Sequence, residues 1–451
     1  MEKISTIRDI FDRIWLGYIR TLKIFTIMNS KDKRFLENLI NKYSKKKLSK
    51  NILYPLIDDA FSKIDILKGV EVMLTGKITM LEITQQFEYE FAKYIGRKYA
   101  LMVNSGSSAN LLAAFALVNP RKKNFLKRND EFLIPVLCWS TSLWPFVQAG
   151  LKPKFVDVNV NNFNVDINEL KKKLTEKVKA IVAIHVLGNS TQIEEIANIS
   201  KSRNIFLVED TCESLGAKYK KKYLGTYGDF GTYSFFYSHQ MTSGEGGMIV
   251  CNSKEDYDLI YSMRSHGWSR KLKRDNVKKS SNFNIINDTS FNFINSGFNL
   301  RPLDVSAAIG LSQFRRLNSM IQNRLINRKK IINQLIHSPL WNQQFSFLEI
   351  TKNTKPSPFG MPILINKKYL SKKEKFFNFL RNKGIETRII IGGNFVNHPS
   401  IKIYNLNAKN ENFPKAQEIE NRGFYIGLHP KPISNEILKH LEENLLKIDK
   451  L

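Results

Sequence analysis

The chain has 451 residues, 42 % of them hydrophobic, and its 70 Lys and Arg against 41 Asp and Glu give a formal net charge of +29. That size and apolar content exclude global disorder and imply two or three domains with a sizeable core. No run of about 18 apolar residues occurs, which excludes a spanning helix, and the 3 Cys, at 138, 212 and 251, exclude a disulfide scaffold, a zinc knuckle and a four-cysteine iron–sulfur site within one chain.

A reduced, cytoplasmic protein is the expectation. The stretch Ile14 to Met28 is broken by Arg20 and Lys23 and lacks the small-residue cleavage pattern of a secretory signal. The basic residues are spread in short runs such as Lys45–Lys47 and Lys171–Lys173. Without zinc-finger spacing or an RNP-like motif, they read as solvated surface and not as a nucleic-acid site.

Residues 1–50 read as a basic helical extension. Phe35, Leu36, Leu39, Ile40 and Tyr43 recur at helical spacing, and Lys45 to Lys50 forms a charged linker. Met28 is an alternative start, because the resemblance described below fades near it. From Tyr54 the pattern changes. Phe87, Phe91 and Ile95 predict a helix ending near Gly96. Tyr99–Val103 predicts a strand running through Asn104-Ser105-Gly106-Ser107-Ser108 into an apolar helix, Ala109 to Val118. Strand, Gly/Ser turn and helix together aim backbone N–H groups at an anion, although a plain connection has the same pattern.

Strand and helix then alternate. Strands are expected at Phe132–Val136, Lys154–Val158, Ala180–Val186 and Ile205–Val208, the last leading into Glu209-Asp210, with helices at Asp166–Leu174 and Ile193–Ser200. Continuous apolar strands between helices mean a parallel sheet covered on both faces. Ligands bind beyond the carboxyl ends of such strands, where Asp210 falls. Residues 311–336 predict one long amphipathic helix with Phe314, Leu317, Ile321 and Leu325 on a face. It leads to a smaller domain with strands at Gly360–Ile365 and Thr387–Ile391 and helices at Ser371–Asn382 and Asn435–Ile448.

An acid at a strand end can pair with a protonated ring nitrogen, a Gly/Ser turn can hold a phosphate, and the indole of Trp139 can stack on a flat ring. Each has a plainer reading: Trp139 as core, Asp210 or Ser107 as a helix cap, Glu213 as solvated.

The segment Thr232 to Gly247 resembles the cofactor-lysine segment of the DegT/DnrJ/EryC1/StrS sugar aminotransferases, pyridoxal-phosphate enzymes of the aspartate-aminotransferase fold. The resemblance runs from about Tyr54 to the C-terminus and includes Ser105-Gly106-Ser107, Glu209-Asp210 and Gly297–Arg301. It implies an α/β, aspartate-aminotransferase-like fold (type I). A large cofactor-binding domain with a mostly parallel sheet would span 51–310, and a linking helix with a smaller α/β domain 311–451.

The family's cofactor lysine falls on His239. An imidazole cannot form a stable imine with the cofactor aldehyde, but it can move protons near neutral pH. The exchange resembles the family's nucleotide-sugar 3-dehydratase branch, and most of all its colitose-pathway members, which act on GDP-4-keto-6-deoxy-D-mannose. Cys212-Glu213-Ser214, His266-Gly267-Trp268 and Asn299–Leu303 match that branch, whereas its second, adjacent histidine is Gln240 here. A sister branch carries iron–sulfur cysteines after the position of His266. Trp268 to Arg274 has none, so no cluster is expected.

By this resemblance, Gly106, Ser107 and Ser234 hold the phosphate of pyridoxal or pyridoxamine phosphate, joined by Asn299 from the partner of a homodimer with shared sites. Trp139 stacks on the ring, Asp210 keeps its nitrogen protonated and Glu213 stands near its hydroxyl. His239 is the base. Apart from the resemblance, the charge of Arg264, Arg270, Lys271, Lys273 and Arg274 around Trp268 suits the substrate's diphosphate, with Trp268, Arg270 and Arg274 as the candidate residues and a solvated surface loop as the plainer reading. The implied activity is removal of the C3 hydroxyl from a nucleotide-linked 4-keto-6-deoxy sugar with L-glutamate as amino donor, in dideoxysugar and O-antigen biosynthesis. A sugar aminotransferase and a non-catalytic binding protein on the same fold are the alternatives.

Overall fold

The structure, a computed structural model, describes residues 28–44, 52–58, 60–269 and 292–451. Its strands in chain order are β1 (Tyr99–Val103), β2 (Glu131–Pro135), β3 (Lys152–Val156), β4 (Val178–Ile184), β5 (Phe206–Asp210), β6 (Lys218–Tyr219) and β7 (Lys222–Tyr223). There follow β8 (Phe230–Ser234), β9 (Gly247–Cys251), β10 (Phe345–Phe347), β11 (Thr354–Lys355), β12 (Gly360–Ile365) and β13 (Gly423–Gly427).

Seven of these build the main sheet in the order β1-β9-β8-β5-β4-β2-β3. The β3-β2-β4-β5-β8 part is parallel, and β9 runs antiparallel to both neighbours. Two reversals restore β1 to the direction of β8. The ends of β1, β2, β4, β5 and β8 therefore all emerge on one edge of the sheet. Both faces are covered, with Phe132, Ile134, Val182 and Val208 buried in one core and Leu133, Ile181 and Leu207 in another. Alternate side chains serve opposite faces, which is why these strands read as continuous apolar runs.

Strand β1 lies where expected, and β2 to β4 begin one or two residues earlier than expected. The helix Glu82–Ile95 ends at Gly96, whose φ of +79° suits a left-handed cap. Phe87 and Phe91 are fully buried against Phe235 and Phe314.

Two expected elements differ. The single helix over 311–336 is two helices, Asp304–Phe314 and Leu317–Ile336. At the break Arg315 pairs with Glu90 at 2.8 Å and Arg316 with Asp65 at 2.5 Å. The first of these helices is fixed by Asp304, whose carboxylate accepts from the N–H groups of Leu81, Ile83 and Thr84. Thr387–Ile391 is not a strand: Arg388 makes an isolated bridge to Tyr425, and Ile391 turns to a φ of +48° ahead of Gly392-Gly393. Tyr425 lies on β13, an edge strand of the antiparallel sheet β10-β12-β13. That sheet packs with Tyr54, Ile331, Leu335 and Phe376. Helices Lys373–Asn382 and Asn435–Leu445 lie within the expected spans.

The expected helix near Phe35 is Ser30–Ser44, tied by Lys33 to Glu71 at 2.8 Å. Its stripe is only partly covered, since Phe35 is 66 % exposed. The linker expected at Lys45–Lys50 lies outside the described residues. No helix among the described residues is long and apolar enough to cross a membrane.

Candidate active site

Strand β1 delivers the chain to Ser105, the N-cap of the helix Gly106–Leu117. The Ser105 hydroxyl accepts from the Ser108 N–H, and the Ser105 carbonyl accepts from the Ala109 N–H. The cap is thus Ser105 and not Ser107. The N–H groups of Gly106 and Ser107 have no acceptor within the helix, which is the condition for holding an anion. Ser234 closes the other side at the end of β8. A Cβ at position 106 would stand 2.5 Å from the Ser234 Cβ and 3.0 Å from the Cys212 Sγ, so only glycine lets this turn approach β8.

Asp210 ends β5 and is 5 % exposed. Its Oδ2 accepts from Ser142 Oγ at 2.7 Å and Asn110 Nδ2 at 2.8 Å, and its Oδ1 accepts from the Cys212 N–H at 3.1 Å. Thr232 Oγ1 donates to Asn110 Oδ1 at 2.6 Å and fixes that amide. Asp210 caps no helix, and among the described residues no ion pair joins it. A buried carboxylate in this state suits a cationic ring N–H. The adjacent Glu209 points the other way, as alternation along a strand requires. It accepts from the N–H groups of Gly225, Tyr227 and Gly228 and from His185, and so organises a loop.

Glu213 follows the strand end. Its Oε2 accepts from the Leu187 N–H at 3.0 Å, where Leu187 takes a left-handed φ of +48°. Burial pushes its carboxyl up to about 7, and the nearby Asp210 charge adds to the rise against the Leu187 bond. A solvated glutamate would not behave so.

His239 stands five residues beyond Ser234, half-buried, its ring 5.3 Å from Phe359. Burial pushes the imidazole down to about 4, partly offset by the Ser234 carbonyl and the Asp210 charge. The ring is therefore neutral at pH 7. Its Nδ1 is buried without a protein partner. The segment around it is pinned from the C-terminal side of the chain. Gln240 Nε2 donates to the Ser357 carbonyl at 2.7 Å, Ser357 Oγ donates to the Leu215 carbonyl at 2.6 Å, and the Ser357 N–H donates to the Gly188 carbonyl at 2.9 Å.

The structure brings Gly106, Ser107, Ser234, Asp210, Glu213 and His239 to one edge of the sheet. Trp139 joins them. It precedes the helix Ser140–Gln148, in which Thr141 accepts from Ser107 Oγ at 3.1 Å and Ser142 bonds Asp210. At 55 % exposure Trp139 is not core, and its indole is open. Two free N–H groups with a serine, an uncompensated carboxylate and an open indole fit a flat, phosphorylated, pyridine-like group.

Other expected residues stand apart. Asn299 is exposed, bridged to Ser265, and accepts from Arg301 Nε at 3.0 Å. Trp268 stacks on Phe293 with 6.4 Å between ring centres. Arg264 is buried and bonds Glu88 at 2.6 Å and the Met102 carbonyl at 2.7 Å, so it is no surface anion binder. Arg270 and Arg274 lie outside the described residues. The sequence reading missed Asn110, Ser142 and Thr232, which hold Asp210. A lone Asn in the apolar run Ala109 to Val118 was the available signal.

A DegT/DnrJ/EryC1/StrS aminotransferase family model matches residues 62–443. The GDP-4-keto-6-deoxy-D-mannose 3-dehydratase of Escherichia coli O55:H7 is 36 % identical over 392 residues, covering 86 % of this chain and 98 % of that protein. The dTDP-4-dehydro-2,6-dideoxy-D-glucose 3-dehydratase of Saccharopolyspora spinosa is 32 % identical, covering 83 % of this chain and 82 % of that protein. The solved E. coli GDP-4-keto-6-deoxy-D-mannose 3-dehydratase with bound hydrated pyridoxal phosphate superposes with a TM-score of 0.79 at 35 % identity, over 87 % of this chain and 99 % of the other. The fold is therefore the expected aspartate-aminotransferase type. With most of its length matched by the family model and by these relatives, the chain belongs to the DegT/DnrJ/EryC1/StrS aminotransferase family.

Proposed function

We propose that the protein is a pyridoxal- and pyridoxamine-phosphate-dependent nucleotide-sugar 3-dehydratase. It removes the C3 hydroxyl of a nucleotide-linked 4-keto-6-deoxyhexose with L-glutamate as amino donor. GDP-4-keto-6-deoxy-D-mannose is the favoured substrate, since relatives at 35–36 % identity bear that name. One observation carries the reading. His239, half-buried and neutral at pH 7, occupies the segment beside Asp210 where the family resemblance places a lysine. A neutral imidazole can take a proton but cannot tether the cofactor.

In this reading the Gly106 and Ser107 N–H groups and the Ser234 hydroxyl bind the phosphate. Asp210, held by Ser142 and Asn110, keeps the ring nitrogen protonated. Trp139 covers one ring face, and Glu213 stands near the ring hydroxyl. When bound, the cofactor supplies an amine for the sugar ketone and an electron sink for the charge left by proton removal. His239 takes the proton whose removal precedes loss of the C3 hydroxyl. The atoms balance: keto sugar and glutamate give the 4-keto-3,6-dideoxy sugar, 2-oxoglutarate and ammonia. Glutamate is oxidised and the sugar carbon reduced. Exposed Asn299 reaches the phosphate of a partner copy, which makes the active unit a homodimer.

Incubation with cofactor, glutamate and a panel of GDP-, CDP- and dTDP-linked 4-keto-6-deoxy sugars tests this, read by mass and ammonia release. Loss of one oxygen with free ammonia is expected. An amino sugar as product would instead mark an aminotransferase, and full recovery of every substrate would mark a binding protein.

A further inference from the structure

The edge of the main sheet opposite the active site opens into a cleft of about 1510 Å³. It lies where the parallel strands begin. Lys179 stands at the start of β4, Ile205 to Leu207 open β5, and Gly228-Asp229 lead into β8. The helix Ile193–Arg203 lines one side, and the loop 123–127 and the β6–β7 hairpin supply the rest. Small-molecule pockets usually hold about 300–1,000 Å³, so a ligand of nucleotide size fits here together with its hydration.

Seven lysines and three acids are among the lining residues. All three acids are engaged within the protein. Glu194 pairs with Lys220. Asp130 accepts from the Lys127 N–H at 2.8 Å, and Asp229 accepts from the Leu207 N–H at 2.8 Å. Lys123, Lys127, Lys179, Lys201 and Lys221 are exposed and have no carboxylate partner among the described residues. Lys222 sets its ammonium over the Tyr227 ring at 4.3 Å, and burial, followed by the Arg97 charge, holds it below the usual lysine range. In the sequence these lysines are scattered and read as solvated surface. The fold gathers them around one cleft without counter-charge. Phe125 lines the same cleft, 40 % exposed between Lys123 and Lys127 on a loop that Asn124 turns with a φ of +59°.

We propose that this cleft is a second anion site, separate from the active site, which takes a nucleoside triphosphate, with its phosphates among the unpaired lysines and its base against Phe125. Lysine is a mobile point charge and needs no planar partner, so several of them suit a short phosphate chain that concentrates negative charge. An exposed aromatic face beside such charge suits a flat base. An acidic peptide would present its carboxylates singly and would leave Phe125 without a role. The site does not depend on the dehydratase reading.

Isothermal titration calorimetry of the cofactor-loaded enzyme with magnesium-free ATP, at low and moderate salt, tests this. One ATP per chain should bind, and more weakly as salt rises. Lys201→Glu combined with Lys221→Glu should weaken it about tenfold at an unchanged thermal midpoint. Phe125→Ala should weaken ATP about tenfold and leave inorganic tripolyphosphate as in the wild type. The absence of saturable ATP binding would overturn the proposal, as would ATP binding that either variant leaves at wild-type strength. Tripolyphosphate bound as tightly as ATP would mark a site for phosphate alone, and an oligothymidylate bound more tightly than ATP would mark a nucleic-acid groove; each would also overturn it. If the charge-reversed protein does not fold, Lys201→Ala with Lys221→Ala takes its place. About a threefold loss is then expected, and wild-type affinity would refute the site.

Discussion

Replacing His239 separates two roles that a lysine combines, proton transfer and covalent attachment. His239→Asn should abolish dehydration while pyridoxal phosphate still binds, because the phosphate and ring-nitrogen contacts lie elsewhere. His239→Lys should make the cofactor covalently attached after borohydride reduction, as mass analysis would show. Near-normal turnover in the asparagine variant would remove His239 from the base role. Glu213 gives a second test, in the cofactor-free protein. Its carboxyl sits at about 7 instead of 4.5 through burial. Between those values the folded state holds a proton that the unfolded state has lost, so stability falls as pH rises through that window. Glu213→Gln does not titrate, and its stability gain over wild type should grow from pH 4.5 to 7 and then level at about 1–3 kcal/mol. Thermal midpoints across pH would show this; a gain independent of pH would mean that Glu213 ionises freely.

At the scale of elements, the critical joint is the meeting of the Gly106–Leu117 helix with β8. Gly106→Ala forces a Cβ to within 2.5 Å of the Ser234 Cβ and 3.0 Å of its Cα. Since that neighbour is partly backbone, the joint must open, at about 1–3 kcal/mol. Cofactor retention should fall along with the thermal midpoint. Retention equal to wild type would show that the turn tolerates a wider spacing. Much of this joint was legible in the sequence: β1, the Gly/Ser turn and the apolar helix follow one another without interruption. Strands β8 and β9 were not, because Gly231, Ser234 and Gly247 dilute their apolar signal and the motif within them drew attention to chemistry. The extended look of Thr387–Ile391 misled for a related reason. β-branched residues favour extension, and Arg388 does bridge Tyr425 on the edge strand β13, but the backbone turns at Ile391 ahead of Gly392-Gly393 and the pairing stops at that one bridge.

For the molecule as a whole, the family resemblance supplied the site's cast, while its supports came only from the fold. Asn110, Ser142 and Thr232 are far from Asp210 in sequence and converge on it because three strand ends meet at one edge. The expected role of Asn299 needs a second copy of the chain. Sedimentation of the active enzyme should show a dimer or larger at assay concentration, and full activity in a monomeric peak would refute shared sites.

The three ties at Ser357 have a mechanical meaning. Residues Pro356 to Phe359 carry the chain into β12, the middle strand of the C-terminal sheet, yet Gly188, Leu215 and Gln240 rivet this entry segment to the edge where the site lies. The approach to Gly188 is so close that a Cβ there would sit 2.2 Å from the Ser357 oxygen. A rigid-body swing of the C-terminal sheet would have to break all these ties together, so this junction is a fulcrum and not a hinge. Ligand entry then depends on local rearrangement around the mouth, not on a clamshell closing. In hydrogen-exchange mass spectrometry the Ser357 amide should exchange slowly and equally with and without nucleotide sugar. Fast exchange that slows on binding would place a hinge there after all.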